Sequence, residues 1–200
     1  MNFEIRRLVG HDSSPFIGDL ARLRIEVFRE YPYLYEGSPE YEEKYLKSYA
    51  DCAESLIVAV FLDGKVVGAS TGLPLEAADR AFRVPFSDKG YAAEKVFYFG
   101  ESVLKRQYRG RGMYGRFFSE RESYAKSLDR FDFVTFCAVE RPARHPLRPA
   151  AYVPLDRYWK KKGYEKQKDM RCFFPWKDLG EESESLKPMV FWTKNLADSV

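Results

Sequence analysis

Histidine is nearly absent from this chain: its 200 residues include only His11 and His145, which excludes a multi-histidine metal centre. Cysteine is hardly better supplied. Cys52, Cys137 and Cys172 are odd in number and widely spaced, with no CxxC pair, so neither a disulfide framework nor a cysteine-rich zinc site fits. That usage suits a reducing compartment. No apolar run is long enough to span a bilayer, and the opening Met-Asn-Phe-Glu-Ile-Arg-Arg has no apolar signal core. The reading is a cytoplasmic protein without a membrane partner. Charge of one sign is also lacking, and a net charge of +3 gives no footprint for nucleic acid.

What the chain does have is length for one domain, aromatics and a patterned order of elements. A domain of this size buries roughly 70% of the surface its unfolded chain exposes, so it folds without staples. Aromatic residues make up 16%, enough both to fill a core and to line pockets. Residues 3–8 alternate as a first strand. Residues 16–29 place Leu20, Leu23, Val27 and Phe28 at helical spacing, with Arg24 alongside. Ser38-Pro39 opens a second helix to about residue 49. Residues 56–62 and 65–73 flank Asp63-Gly64, a two-residue hairpin signal. Residues 74–95 show no strand character and are expected to be an insertion. A strand over 96–104, a helix over 112–128 and a strand over 131–139 follow. Residues 140–154 carry too many prolines for regular structure. A helix over 155–162 ends at Gly163, and strands are expected over 164–176 and 189–194. The order predicts a mixed α/β sheet with helices on it, in a single domain over 1–200.

The segment Gln107-Tyr108-Arg109-Gly110-Arg111-Gly112 joins a strand to a helix. Helix N-termini carry amides with no intrahelical partner and the positive end of the dipole, and glycine lets an anion approach the backbone closely. Arg106, Arg109, Arg111 and Arg116 add positive charge there. Gly110-Arg111-Gly112-Met113-Tyr114-Gly115 also matches GxGxxG, which raises a dinucleotide-binding oxidoreductase as an alternative. Against it, the motif sits mid-chain after an antiparallel hairpin, a polar run precedes its first glycine, and too little chain follows for a parallel sheet.

The loop resembles the Gln/Arg-x-x-Gly-x-Gly/Ala signature of the GNAT superfamily of N-acetyltransferases, with Gln107, Gly110 and Gly112 in the marked places. The element order is similar to that fold along nearly the whole chain. Trp159-Lys160-Lys161-Lys162-Gly163-Tyr164 looks like the ending of its fourth helix. The resemblance implies a central, mostly antiparallel sheet of about seven strands with splayed strands 4 and 5, and about four helices. It implies acetyl-CoA as cofactor and transfer of an acetyl or short acyl group to a primary amine, by direct attack in a ternary complex. A small-molecule acceptor is expected, in a monomer or homodimer. Backbone groups of Val103 and Leu104 would hold the pantetheine, with the Leu104 N–H polarising the acyl carbonyl. Amides from Arg109 to Gly115, including Met113, would hold the pyrophosphate.

Two proton transfers remain to be assigned. Glu101, an acid within an apolar strand, is the candidate base, set against a structural role in a salt bridge with Arg141 or Arg171. Glu140, at the facing strand's end, is an alternative base. The resemblance implies a tyrosine acid where this chain has Trp159, which has no phenolic proton; Tyr158 and Tyr152 are the substitutes, with solvent. His145, in the proline-rich segment, is a further candidate for proton transfer or acceptor binding, because imidazole as a side-chain type suits that role. Cys137 reads as a small core residue, and a Cys137–His145 nucleophile lacks an orienting third group. Tyr31, Tyr33 and Tyr35 are placed at the acceptor pocket, where π faces would suit a cationic amine. The missing tyrosine also leaves a catalytically silent CoA-binding module as an alternative.

Overall fold

Local signals set most element boundaries in the computed structural model, which describes residues 2–197. Strand β1 (Glu4–Val9) is followed by a 3-10 stretch, then helices α1 (Ile17–Phe28) and α2 (Pro39–Ala50). Ser38 caps α2 as its residue type requires, its Oγ accepting from the Tyr41 N–H at 3.3 Å. The hairpin of β2 (Leu56–Leu62) and β3 (Lys65–Pro74) turns on Asp63 (φ 49°) and Gly64 (φ 76°), the paired left-handed conformations that match strand twist. Strand β4 (Val96–Leu104), helix α4 (Met113–Ser127), strand β5 (Phe133–Val139), helix α5 (Asp156–Lys161) and strands β6 (Glu165–Trp176) and β7 (Ser185–Asn195) complete the chain. Residues 74–95 are not irregular: they contain helix α3 (Arg80–Asp88), capped by the Asp79 carboxylate on the Ala81 N–H at 2.8 Å. Pro85 inside that helix disguises it in the sequence.

The sheet has seven strands in the order β1-β2-β3-β4-β5-β7-β6. Every neighbouring pair is antiparallel except β4 and β5. Such a sheet is not the parallel scaffold of a dinucleotide-binding oxidoreductase. Strand β2 is apolar throughout because both its faces are covered. Ile57, Ala59 and Phe61 point into a core shared with Leu20 and Leu23 of α1, Leu46 and Tyr49 of α2, and Phe82 and Phe86 of α3. Leu56, Val58 and Val60 face the opposite core, against Phe117 of α4. Helices thus cover both faces of the sheet. Among the described residues no helix is long and apolar enough to cross a membrane.

Two irregularities in β4 shape the centre of the sheet. It pairs with β5 only from Val96↔Phe133 to Tyr98↔Thr135, after which the two strands part. On its other side the register with β3 shifts between Ser70 and Gly72, so Gly100 and Glu101 together stand opposite Thr71. This bulge needs glycine at 100, because a Cβ there would collide with the Tyr49 and Thr71 hydroxyls.

Candidate functional site

After β4 the chain makes a 3-10 turn over Arg106–Tyr108 and reaches α4 through Gly110 (φ 76°) and Gly112 (φ 81°). A Cβ at either glycine would meet no atom within 4 Å, so glycine is there for its left-handed backbone and the space above stays open. Gly112 caps α4 without a side chain, and the first helical bond runs from the Arg116 N–H to the Gly112 carbonyl at 3.2 Å. The amides of Met113, Tyr114 and Gly115 are therefore free of intrahelical partners. The Arg109 amide is not, since it donates to the Arg106 carbonyl at 3.2 Å, which shortens the expected cradle to residues 110–115. Arg109 pairs with Glu30 at 2.7 Å and Arg116 with Glu120 at 2.9 Å. Arg106 and Arg111 make no ion pair among the described residues.

Backbone parity decides which β4 amides face the gap beside β5. The Lys105 N–H donates to Val67 on β3 at 3.0 Å. With a strand's period of two, the Val103 backbone also faces β3, while Ser102 and Leu104 face the gap. Val103 is thus withdrawn from the expected pair. The Leu104 carbonyl is taken as well, accepting from Arg109 Nε at 3.0 Å, which leaves the Leu104 N–H as that residue's group toward the gap.

The gap opens into a cleft of about 1160 Å³ bounded by the end of α1, β4, the start of α4, β5, α5 and residues 148–156. Of the residues singled out in the sequence, Glu101, Leu104, Arg106, Arg109, Gly110, Gly112, Met113, Gly115, Tyr31, Tyr33, Cys137, Glu140, Tyr152, Tyr158 and Trp159 line it. Val103, Gln107, Arg111, Arg116, Tyr35 and His145 do not. Tyr35 turns away, packing on Phe28 and bridging to Asp178, and burial pushes its phenol up. His145 sits beside Tyr31, ring centroids 5.7 Å apart, and its Nδ1 accepts from the Leu147 N–H at 3.2 Å. It serves the loop rather than the cleft.

The acceptor-side loop is fixed from behind. Arg141 donates to the carbonyls of Pro32 (2.7 Å) and Tyr33 (2.6 Å) while gripping Asp178 with both nitrogens at 2.6 and 2.8 Å. Tyr31 meets Tyr152 edge-on at 4.7 Å, so α1's C-terminal loop and the proline-rich segment form one wall.

Glu101 is 9% exposed and already committed. It forms a buried ion pair with Arg24 of α1, which also binds Glu42 of α2, and it accepts from the Tyr45 hydroxyl at 3.1 Å. The arginine foreseen as its structural partner was Arg141 or Arg171; those bind Asp178 and Glu140 instead. Burial alone would lower the Arg24 pKa, but Glu101, Tyr45 and Glu42 together raise it well above its usual value. Glu140 is a half-buried strand-end acid shared between Arg171 and Lys166. Cys137 is buried against the Tyr98 hydroxyl at 3.2 Å.

Arg121 of α4 and Tyr114 line the same cleft without having been singled out for it. Arg121, 2% exposed, donates to the Thr71 and Glu101 carbonyls at 3.1 Å each, binding both strands at the bulge. Its position, four residues after Phe117 in a helix stripe, was the only signal available. Tyr114 accepts a hydrogen bond from the Trp159 indole N–H at 2.9 Å. Trp159 in turn packs on Phe136 of β5 (5.0 Å) and Trp192 of β7 (5.1 Å).

No protein-family model matches the sequence, and no curated protein matches it. Solved structures do. An N-acetyltransferase from Staphylococcus aureus Mu50 aligns with a TM-score of 0.61 over 98% of this chain and 99% of its own, at 10% identity. An acetyltransferase of the GNAT family from Streptococcus pneumoniae aligns with a TM-score of 0.57 over 97% and 99%, at 14% identity. The Salmonella typhimurium protein yncA, whose structure was solved with its cofactor acetyl-CoA, aligns with a TM-score of 0.62 over 100% and 97%, at 9% identity. With its seven-stranded sheet, single parallel pair and flanking helices, the chain has the fold of the GNAT acetyltransferases.

Proposed function

We propose that the chain transfers an acetyl or other short acyl group from CoA to a primary amine, by direct attack of the amine on the thioester. The observation that carries this reading is the continuity of the β4–β5 gap with the uncapped N-terminus of α4. In an acyl-CoA substrate a pyrophosphate links the adenosine to an amide-bearing arm that ends in the thioester. Amides 110–115 and the unpaired Arg106 and Arg111 suit the first, and the parted strands suit the second. The Leu104 N–H faces the gap where it can polarise the acyl carbonyl. Tyr31, Tyr33 and Tyr152 offer π faces to an amine entering from the opposite side.

Glu101 serves this reading as a fixed negative charge at the cleft floor. Its oxygens are engaged by Arg24 and Tyr45 rather than open to an incoming amine, so the amine arrives uncharged or sheds its proton to water. Trp159, without a phenol, favours a second reading in which the chain binds CoA without turnover. Thermal melts with acetyl-CoA, NAD and NADP, followed by free-thiol release over a panel of small primary amines, separate the readings. Stabilisation by acetyl-CoA and turnover of at least one amine are expected. Stabilisation without any turnover would favour the silent module, and stabilisation by NAD alone would overturn both.

A further inference from the structure

We propose that the acceptor is a primary amine that also carries an anionic group, carboxylate or phosphate, and that Arg148 docks that group; the proposal rests on the acyl-transfer reading above. Arg148 lines the cleft and is half-buried. Among the described residues its side chain makes no ion pair and no hydrogen bond. Its guanidinium lies 5.1 Å from the Tyr152 ring centroid, and that ring meets Tyr31 edge-on at 4.7 Å. A cation–π contact uses the charge of a guanidinium and none of its five N–H donors. A partly desolvated cation without a counter-ion gains most from an anion that accepts two of those donors at once.

The other charges that line the cleft are matched or lie elsewhere. Glu30 pairs with Arg109, Glu140 with Arg171, Lys166 with Glu140 and Asp156, and Arg141 with Asp178. Arg121 directs its donors to the Thr71 and Glu101 carbonyls and to the Ser102 hydroxyl. Arg106 belongs to the turn before α4, beside the phosphate cradle. At the cleft floor the sign is reversed. Arg24 is shared by Glu42 and Glu101, and two carboxylates against one guanidinium leave a formal excess of negative charge. The acceptor half therefore presents an unmatched negative charge at its floor and an unmatched positive charge at its wall. A purely cationic amine answers only the first. A zwitterion, with its ammonium toward Glu101 and its acid toward Arg148, answers both.

The segment that carries Arg148 holds it in place. The Arg148 N–H donates to the His145 carbonyl and the Tyr152 N–H to the Pro149 carbonyl, each at 3.0 Å, so Arg148 and Tyr152 sit on consecutive turns. His145 fixes the first turn through the Leu147 N–H, and its ring lies beside Tyr31. Pro146 and Pro149 flank Leu147-Arg148 and restrict the backbone further. The docked anion is not a reactant. It orients the amine, whose nitrogen displaces the CoA sulfur from the acyl carbon, and the acid remains in the product.

Matched acceptors test this: glycine against glycinamide, phenylalanine against phenylalaninamide, and phosphoethanolamine against ethanolamine. Each is assayed with acetyl-CoA and wild type, Arg148→Gln or Arg148→Lys. The readout is the ratio of kcat/KM for the acidic member to that for the neutral one. Differences intrinsic to the amines cancel when that ratio is compared between enzymes. In at least one pair the ratio should fall by at least about ten-fold in Arg148→Gln, through a raised KM for the acidic acceptor. The pair that responds names the anion. Arg148→Lys keeps the charge without the fork and should lie between. The calorimetric Kd for acetyl-CoA should stay within about two-fold of wild type in both variants. Three outcomes would overturn the role of Arg148 and leave the acyl-transfer reading standing: ratios unmoved in every pair, turnover confined to amines without an anionic group, or an equal loss of acetyl-CoA affinity in Arg148→Gln. Acetyl-CoA binding with no turnover of any amine, in these pairs or in the wider panel, would remove that reading and this one together.

Discussion

Arg24 is the residue on which the acceptor-side core turns. It joins helix α1 to Glu42 of α2 and to Glu101 of β4, and its guanidinium lies 4.2 Å from the Tyr45 ring centroid. Two carboxylates and one guanidinium buried together are tolerable only while the cation is present, because an uncompensated buried charge costs far more than a pair. Replacing Arg24 by Ala should therefore destabilise the fold by about 3–5 kcal/mol, or about 10 °C in melting temperature for a chain of this length. Glu101→Gln should cost less, since Arg24 keeps Glu42. Thermal melts of the two variants check the order; an Arg24→Ala variant melting within a few degrees of wild type would show that the cluster is well solvated. Glu101 was visible in the sequence as an acid in an apolar strand. Its partner was not, although Arg24 shares a helix stripe with Leu20, Leu23 and Val27, and Glu42 shares one with Tyr45, Leu46 and Tyr49.

At the scale of elements, α3 departs most from what the sequence suggests. Phe82 stacks on Tyr98 of β4 (4.9 Å) and Phe174 of β6 (5.0 Å), and Phe86 meets Phe191 of β7 (5.1 Å). The helix thus spans strands on both sides of the β4–β5 pair and packs on β4 at Tyr98, the last residue that pairs with β5. Phe86 is fully buried, and Phe86→Ala should cost about 3–5 kcal/mol through lost burial and the cavity left behind. Denaturant unfolding measures this; a cost under about 1 kcal/mol would make α3 an appendage. Features set within a few residues were legible: the Ser38 cap, the Asp63-Gly64 hairpin and the glycines before α4. Those that depend on distant partners were not. Pro85 argues locally against a helix that only packing against β4, β6 and β7 sustains. Likewise Gly100 looks like any strand glycine until Tyr49 and Thr71 crowd it, and the side on which the Val103 backbone lies depends on register.

Over the whole molecule a net charge of +3 conceals an uneven distribution. Around the loop before α4, some cations are matched to acids, as Lys105 is to Glu26, Arg109 to Glu30 and Arg116 to Glu120. Arg106 and Arg111 make no ion pair among the described residues and add their charge to the positive end of the α4 dipole, which is the electrostatic basis for proposing an anion there. Charge and backbone conformation at Gly112 can be separated there. At φ 81° any side chain is strained, but Asn and Asp tolerate that region alike and differ mainly by one negative charge. Both Gly112→Asn and Gly112→Asp should fold, with melting temperatures lowered by a few degrees and close to each other. Their acetyl-CoA affinities should diverge, the Asp variant binding at least about ten-fold more weakly than the Asn variant, a difference of about 1.4 kcal/mol. The divergence should shrink as salt is raised, because the loop is exposed and its field is screened. Calorimetry at low and high ionic strength reads both effects. Equal affinities in the two variants would mean that no phosphate lies at the start of α4, and the cofactor assignment would have to leave the loop.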